Sequence, residues 1–257
     1  MRLEDKVVVV TGSTSGIGEA IARRCVAEGA RVLVHGLERD LGEAVAGSLG
    51  EAAALHVDDL ADPEAAARVV GAALLAFGKI DALVNNAGRV ERGTIETTDA
   101  AAFDRVMAVN ARAPLLLIRA ALPELARTRG AVLNVGSINA YCGEPTFVAY
   151  SASKGALMTL TRNLGDTLHR EQGVRVNQIN PDWVLTEGEK HVQARQGNPP
   201  DWYEKVPRIF APSGRLILPE EIASAAVYWI ADESRPISGS VVELSQFPII
   251  GRNLPRV

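Results

Sequence analysis

Basic residues are not in excess. The chain carries 27 Lys and Arg against 31 Asp and Glu, a formal charge of −4, which leaves no electrostatic footprint for nucleic acid. Cysteine is scarce: Cys25 and Cys142 lie far apart and form no C-x-x-C, so a disulfide framework is excluded. Both read as small buried hydrophobes of a reducing cytoplasm. The four histidines (His35, His56, His169, His191) are scattered without ligand spacing, so no metal site is expected. Long apolar runs are missing too. The four valines Val7–Val10 are too short for a signal-peptide core, and nothing later approaches ~18 apolar residues, so no membrane partner is expected. No internal repeat, low-complexity tract or linker interrupts the chain.

What is present is an alternation. Short apolar runs (Lys6–Thr11, Arg31–His35, Ala53–Val57, Asp81–Gly88, Ala131–Ser137, Val174–Asn180, Gly239–Ser245) alternate with Ala-rich segments of helical period. Helices are predicted over Gly16–Glu28, Leu41–Leu49, from an Asp62 N-cap with Pro63 at the first helical position to Phe77, over Asp99–Arg127, and over Ala149–Gln172. Pro114 should kink or divide the fourth. Glu187–Leu218 breaks the rhythm with four prolines and mixed aromatics and reads as an inserted lid. Alternating strands and helices imply right-handed βαβ units. The expectation is an α/β fold: one doubly wound domain, residues 1–257, on a parallel seven-stranded sheet with helices on both faces.

Four groups of residues carry chemistry. The first strand runs into TGSTSGIG, Thr11–Gly18. Its glycines permit close backbone approach to a pyrophosphate, and the helix opening at Gly16 aims its free N–H groups at it. YSASK places Tyr150 and Lys154 four apart on one helix face. A free phenol has a pKa of ~10, so working as a base near neutrality takes roughly 3–4 kcal/mol of help from a close positive charge. Ser137 ends the fifth strand and NNAG (Asn85–Gly88) the fourth, at the rim where open parallel sheets bind ligands. Asn110 sits in the otherwise apolar VMAVNA, where a buried amide needs partners.

In this order these elements resemble the short-chain dehydrogenases/reductases, from Lys6 to about Leu244, and PSGRLILPEEIA (Pro212–Ala223) resembles the family as well. The resemblance implies a Rossmann-like fold and hydride transfer between NAD or NADP and a secondary alcohol or carbonyl. It implies Tyr150 as general acid/base and Lys154 as the group that lowers its pKa and binds the nicotinamide ribose. Ser137 would polarise the carbonyl, and Asn110 would hold a relay water. For the cofactor it implies Gly12, Ser13, Ser15, Gly16, Ile17 and Gly18 at the phosphates and Asp59 and Leu60 at the adenine. Asn86, Ala87 and Gly88 would line the adenosine side, and Pro181, Val184 and Thr186 the nicotinamide end.

Two departures stand out. Asp182 replaces a usual glycine in the loop NPDWVLT, and Ser245-Gln246-Phe247 replaces a glycine turn after the last strand, a change that reads as subunit packing or as a tail helping to close a neighbour's substrate site, with packing favoured. At the second strand's end, the family's NAD-selecting acid falls on Gly36, and the usual basic positions of NADP users are Ser15 and Leu37. Arg39 is the one cation there that might reach a 2′-phosphate and Glu38 the one acid that might reach a ribose, which leans slightly to NADP. Asn139, Tyr141, Glu144, His191 and Trp202, with Arg195, Tyr203, Arg208 and Phe210, are substrate candidates. Their polar and aromatic mix suits a sugar, polyol or hydroxy acid. The alternatives are a 3-oxoacyl thioester reductase and a non-catalytic nucleotide-sensing protein. A homotetramer or homodimer in the cytoplasm is expected.

Overall fold

The computed structural model describes residues 1–252. Strands β1 (Val7–Val10), β2 (Arg31–Gly36), β3 (Ala53–Val57), β4 (Ala82–Asn85), β5 (Ala131–Val135), β6 (Arg175–Pro181) and β7 (Val241–Leu244) form one sheet in the order β3-β2-β1-β4-β5-β6-β7. Every pairing is parallel. Side chains of a strand alternate between faces, and both faces here are covered. Val8 and Val10 join a core under α1 (Gly16–Ala27), α2 (Arg39–Leu49) and α8 (Pro219–Ile230). Val9 joins the opposite core under α3 (Ala65–Phe77), α5 (Ala113–Thr128) and α6 (Val148–Gln172). This double cover explains why the strands read as unbroken apolar runs. Cys25 lies fully buried in the first core, and burial pushes its thiol up to about 12, so it is inert packing.

The chain order reverses across β1. The connections after β1 and β4 run to opposite sides, so a crevice opens beyond the carboxyl ends of these strands. Three helix expectations change in detail. The third helix starts at Ala65 rather than Pro63, because the Asp62 carboxylate accepts the Glu64 N–H at 3.0 Å and holds a turn before it. The fourth is divided upstream of Pro114. Helix α4 (Ala100–Met107) passes through a π turn at Ala108–Arg112 before α5 begins. Pro114 has no N–H to offer the Asn110 carbonyl four residues earlier, so a continuous α-helix has no bond to make there. The segment after Thr186 contains a further helix, α7 (Glu187–Arg195), and is closed at its base, where the Leu185 N–H donates to the Ile217 carbonyl at 2.8 Å.

The continuous helical stretch 100–128 is long and apolar enough by length and composition to cross a membrane, which the strict count of uninterrupted apolar residues overlooks. Its apolar stripe (Leu117, Ile118, Ala121, Leu125) is buried in the second core.

Candidate active site

The Gly-rich turn is built for close contact. Gly12 sits at φ +62° and a Cβ there would lie 2.8 Å from the Ala87 Cα. A Cβ on Gly18 would overlap the Gly12 carbonyl oxygen and the Asn86 amide, so this glycine serves packing rather than φ freedom. Thr11 fastens the turn to β4: its Oγ1 accepts the Asn86 and Ala87 N–H groups at 3.0 and 3.1 Å. Ser15 begins α1 in extended backbone without a side-chain cap. The first amides of the helix therefore have no partner from the helix or its cap.

They face a cavity of about 530 Å³. Gly12, Ser15, Gly16, Ile17 and Gly18 line its floor, Gly36 and Leu37 one end, Asp59 and Leu60 one wall, and Asn86, Ala87 and Gly88 the other. Two expected residues are absent from it. The Ser13 side chain is buried, donating to the Val10 carbonyl at 2.7 Å and accepting the His35 N–H at 3.0 Å, so it braces β1 against β2. Arg39 starts α2 with its side chain 67% exposed, 3.7 Å from Glu43, and lines no part of the cavity. Sequence reasoning missed Thr14, His35, Asp58, Arg89 and Arg105, which do line it. Burial pushes His35 down to about 4, so it is neutral at physiological pH.

A second cavity of about 280 Å³ continues the trough through shared residues Ile17, Asn86, Gly88 and Thr186. It holds Ser137, Tyr150, Lys154, Pro181 and Val184. The Thr186 methyl would touch a Cβ on Gly16 at 3.5 Å, so this residue bridges the two chambers. Lys154 is buried, and its Nζ donates to the Val135 carbonyl at 2.9 Å and lies 5.6 Å from the Tyr150 ring centroid. Burial pushes its ammonium down to about 8. Burial also pushes the Tyr150 phenol up, while a hydrogen bond with Ser137 pulls it down and the Glu144 charge pushes it up. Burial acts most strongly on the phenol, and Lys154 is not among the groups that shift it.

Asn110 is buried in the π turn. Its Oδ1 accepts the Arg89 N–H at 2.7 Å, and its Nδ2 donates to the Arg89 carbonyl and to Ser153 Oγ, both at 3.0 Å. The side-chain amide is thus committed. A buried polar chain that the sequence did not disclose supports Ser137. Asn85 donates to Asn134 (2.8 Å), Asn134 to Thr161 (2.8 Å), Thr161 to Gln178 (2.8 Å), and Gln178 to Asn180 (2.7 Å). Asn180 then accepts the Ser137 N–H at 3.2 Å. The signal was available: β5 and β6 contain Asn134, Asn177, Gln178 and Asn180 within otherwise apolar strands.

A third cavity of about 490 Å³ adjoins Ser137. Of the substrate candidates, Asn139, Glu144 and Phe210 line it. Tyr141 lies outside it, facing Asn180. His191 is exposed on α7 and lines none of the three chambers. Trp202 stacks on Trp183 at 5.3 Å and Tyr203 meets Trp202 edge-on at 5.9 Å, so both act behind Trp183, which itself lines the chamber. Arg195 is exposed, and Arg208 lies in a separate surface cleft. Arg92, Phe147, Asp182, Glu189, Gln193 and Phe247 were missed. The two departures from the family pattern meet here: the Ser245 hydroxyl donates to Asp182 Oδ2 at 2.7 Å, and Phe247 lines the chamber of its own subunit. Asp182 has no positive φ, so its turn accepts a Cβ without strain. No group of three or more His, Cys, Asp or Glu side chains that could hold a metal ion occurs among the described residues.

Residues 6–197 match the sequence pattern described as short chain dehydrogenase. The chain is a short-chain dehydrogenase. It is 35% identical over 243 residues to 2-(S)-hydroxypropyl-CoM dehydrogenase 3 of Xanthobacter autotrophicus, covering 93% of this chain and 94% of that one. It is 34% identical over 242 residues to meso-2,3-butanediol dehydrogenase of Serratia marcescens, covering 93% of each. Among solved structures, 3-ketoacyl-(acyl-carrier-protein) reductase from Brucella melitensis complexed with NADH superposes with a TM-score of 0.83 at 31% identity, covering 94% of this chain and 97% of that one. The dehydrogenase is therefore an oxidoreductase of alcohol groups, of a family that uses NAD or NADP. Its trough, with uncapped helix amides, glycines at the floor and a buried Lys-Tyr pair at the far end, fits a dinucleotide.

Proposed function

We propose that this dehydrogenase interconverts a small neutral secondary alcohol, such as a diol, polyol or sugar, and its carbonyl. The observation that carries the reading is the joined trough that ends at Ser137, Tyr150 and Lys154. A nicotinamide held along the trough by Ile17, Lys154, Pro181, Val184 and Thr186 would supply the hydride chemistry. In oxidation, Tyr150 takes the hydroxyl proton on its phenol oxygen, and in the reverse direction returns it. Ser137 donates a hydrogen bond to the substrate oxygen as charge develops there. Lys154 places a positive charge near the phenol. Proton exchange with solvent runs past Asn110.

The third chamber supports the choice of a neutral substrate. Glu144, Asp182 and Glu189 line it against one cation, Arg92, whose guanidinium is held 4.4 Å over the Phe147 ring. An anionic hydroxy acid or a carrier-bound thioester meets more negative than positive charge there. The diol named for the Serratia relative is of the favoured class. The chain is further proposed to act as a homotetramer or homodimer through α6 and through α8 with β7, in the cytoplasm, as its exposed thiol Cys142 suits.

Turnover of a panel of diols, sugars, hydroxy acids and acetoacetyl thioester, followed by reduced-cofactor absorbance, tests this. Diols or sugars should give the highest kcat/KM, and Tyr150→Phe should lower it at least ~100-fold with NADH binding preserved. Turnover of the thioester alone would replace this reading with acyl-thioester reduction. Cofactor binding with no Tyr150-dependent turnover would support nucleotide sensing.

A further inference from the structure

We propose that Glu38, held in place by Thr14, reads the adenosine ribose and makes this enzyme prefer NAD. The inference rests on the dinucleotide reading of the trough and names a residue outside the strand position where the family carries its acid.

The end of β2 cannot hold the usual carboxylate. A Cβ on Gly36 would lie 2.5 Å from Thr14 Cγ2 and 2.6 Å from Thr14 Oγ1. Thr14 is itself buried, and its methyl would stand 3.3 Å from a Cβ on Gly42 of α2. It is a wedge between the strand end and the next helix. Gly36 has no positive φ, so space alone, not backbone conformation, keeps a side chain out.

Glu38 occupies the substitute position. It is the N-cap residue of α2, yet its side chain caps nothing in that helix. It turns back, and its Oε2 accepts the Thr14 hydroxyl at 3.4 Å. Both residues line the cavity. A carboxylate so held accepts hydrogen bonds from a ribose diol and repels a 2′-phosphate. Nothing at that end compensates. The lining there is Thr14, Ser15, Gly36, Leu37 and Glu38, without a cation. Arg39 faces out toward Glu43. Asp58 and Asp59 add negative charge at the neighbouring wall, with Asp58 held at about 2 by Arg68. The two arginines of the cavity, Arg89 and Arg105, come from the opposite side, and each is engaged by Glu91 at 2.9 Å.

Equilibrium titration with NADH and with NADPH, read by cofactor fluorescence, tests the assignment without turnover. The wild type should bind NADH at least about tenfold tighter. Glu38→Ala should narrow that ratio to about threefold or less, with NADPH bound more tightly than by the wild type. Thr14→Ala should narrow it partly, and Thr14→Ser should preserve it. Gly36→Asp should weaken both cofactors, whereas Gly36→Asp with Thr14→Ala should restore NADH preference even when Glu38 is alanine. Equal or tighter NADPH binding by the wild type overturns the proposal. So does a ratio unchanged in a Glu38→Ala protein that melts like the wild type. Binding of neither dinucleotide to the wild type overturns the reading of the trough together with this inference, and so is distinct from either.

Discussion

The cofactor trough and the substrate chamber are made by different means. The trough is backbone: strand ends in parallel register, a glycine turn and the open end of α1. Its key atoms are fixed by the same hydrogen bonds that fix the sheet, such as the Thr11 N–H to the Val84 carbonyl at 3.0 Å. The substrate chamber is side chains from segments far apart in the chain: Arg92, Glu144, Asp182 and Glu189, Phe210 and Phe247. What holds those segments together is local and polar. Asp182 is tied to Ser245, and the Glu189 carboxylate accepts the Trp183 indole N–H at 3.0 Å and the Gln193 amide at 2.8 Å. A backbone-built site tolerates little change, and a site built from loop side chains can be retuned without cost to the fold.

That contrast can be broken most sharply at Gly18. Gly18→Ala forces a methyl into the Gly12 carbonyl and the Asn86 amide. A loss of roughly 3 kcal/mol or more of stability is expected, together with loss of NADH binding, measured by denaturant unfolding and titration. A variant with wild-type stability and affinity would show the turn to be more pliable than the geometry allows.

Lys154 tests the junction of the two regions. Its folded-state pKa of about 8 lies below the unfolded value of 10.5. Between those values the unfolded chain binds more protons, so this group makes stability rise with pH across that window, and at pH 7 its buried charge is a net cost. Lys154→Met should therefore lower kcat/KM by about 100-fold or more while raising the melting temperature by a few degrees at pH 7. The thermal gain should shrink toward pH 10. A variant less stable than wild type at pH 7 would mean that the bond to the Val135 carbonyl outweighs the burial of charge.

The smallest effect is expected in the chamber. Phe247→Ala should raise KM for the best alcohol by roughly threefold to tenfold. The NADH dissociation constant and melting temperature should stay unchanged. A matching change in NADH binding would join the tail to the cofactor trough and blur the division.

The elements that could be read in advance share a short range. The glycine turn and the Tyr150–Lys154 pair each lie within eight residues and have one structural meaning in an alternating strand-helix chain. So do the strands, whose side chains divide between the two cores by simple alternation. The elements that could not be read depend on distant neighbours. Arg39 looks available in sequence but begins a helix that carries it outward. Ser13 looks like a phosphate ligand but is spent on β1 and β2. Tyr141 and His191 have suitable chemistry and face elsewhere. The tail's sequence allows subunit packing or closure of a neighbour's site, and Phe247 lines the chamber of its own subunit. The last five residues of that tail lie outside the described region.

By itself the sequence determined the doubly wound sheet and the place of the crevice, because both follow from local periodicity, and its family resemblance named Asn110, Ser137, Tyr150 and Lys154 as the expected set. Only the tertiary structure decided which charges face the ligands. It turned Glu38 rather than Arg39 toward the trough and paired Asp182 with Ser245. Direction, desolvation and contact between remote segments are properties of packing, and no spacing along the chain encodes them alone.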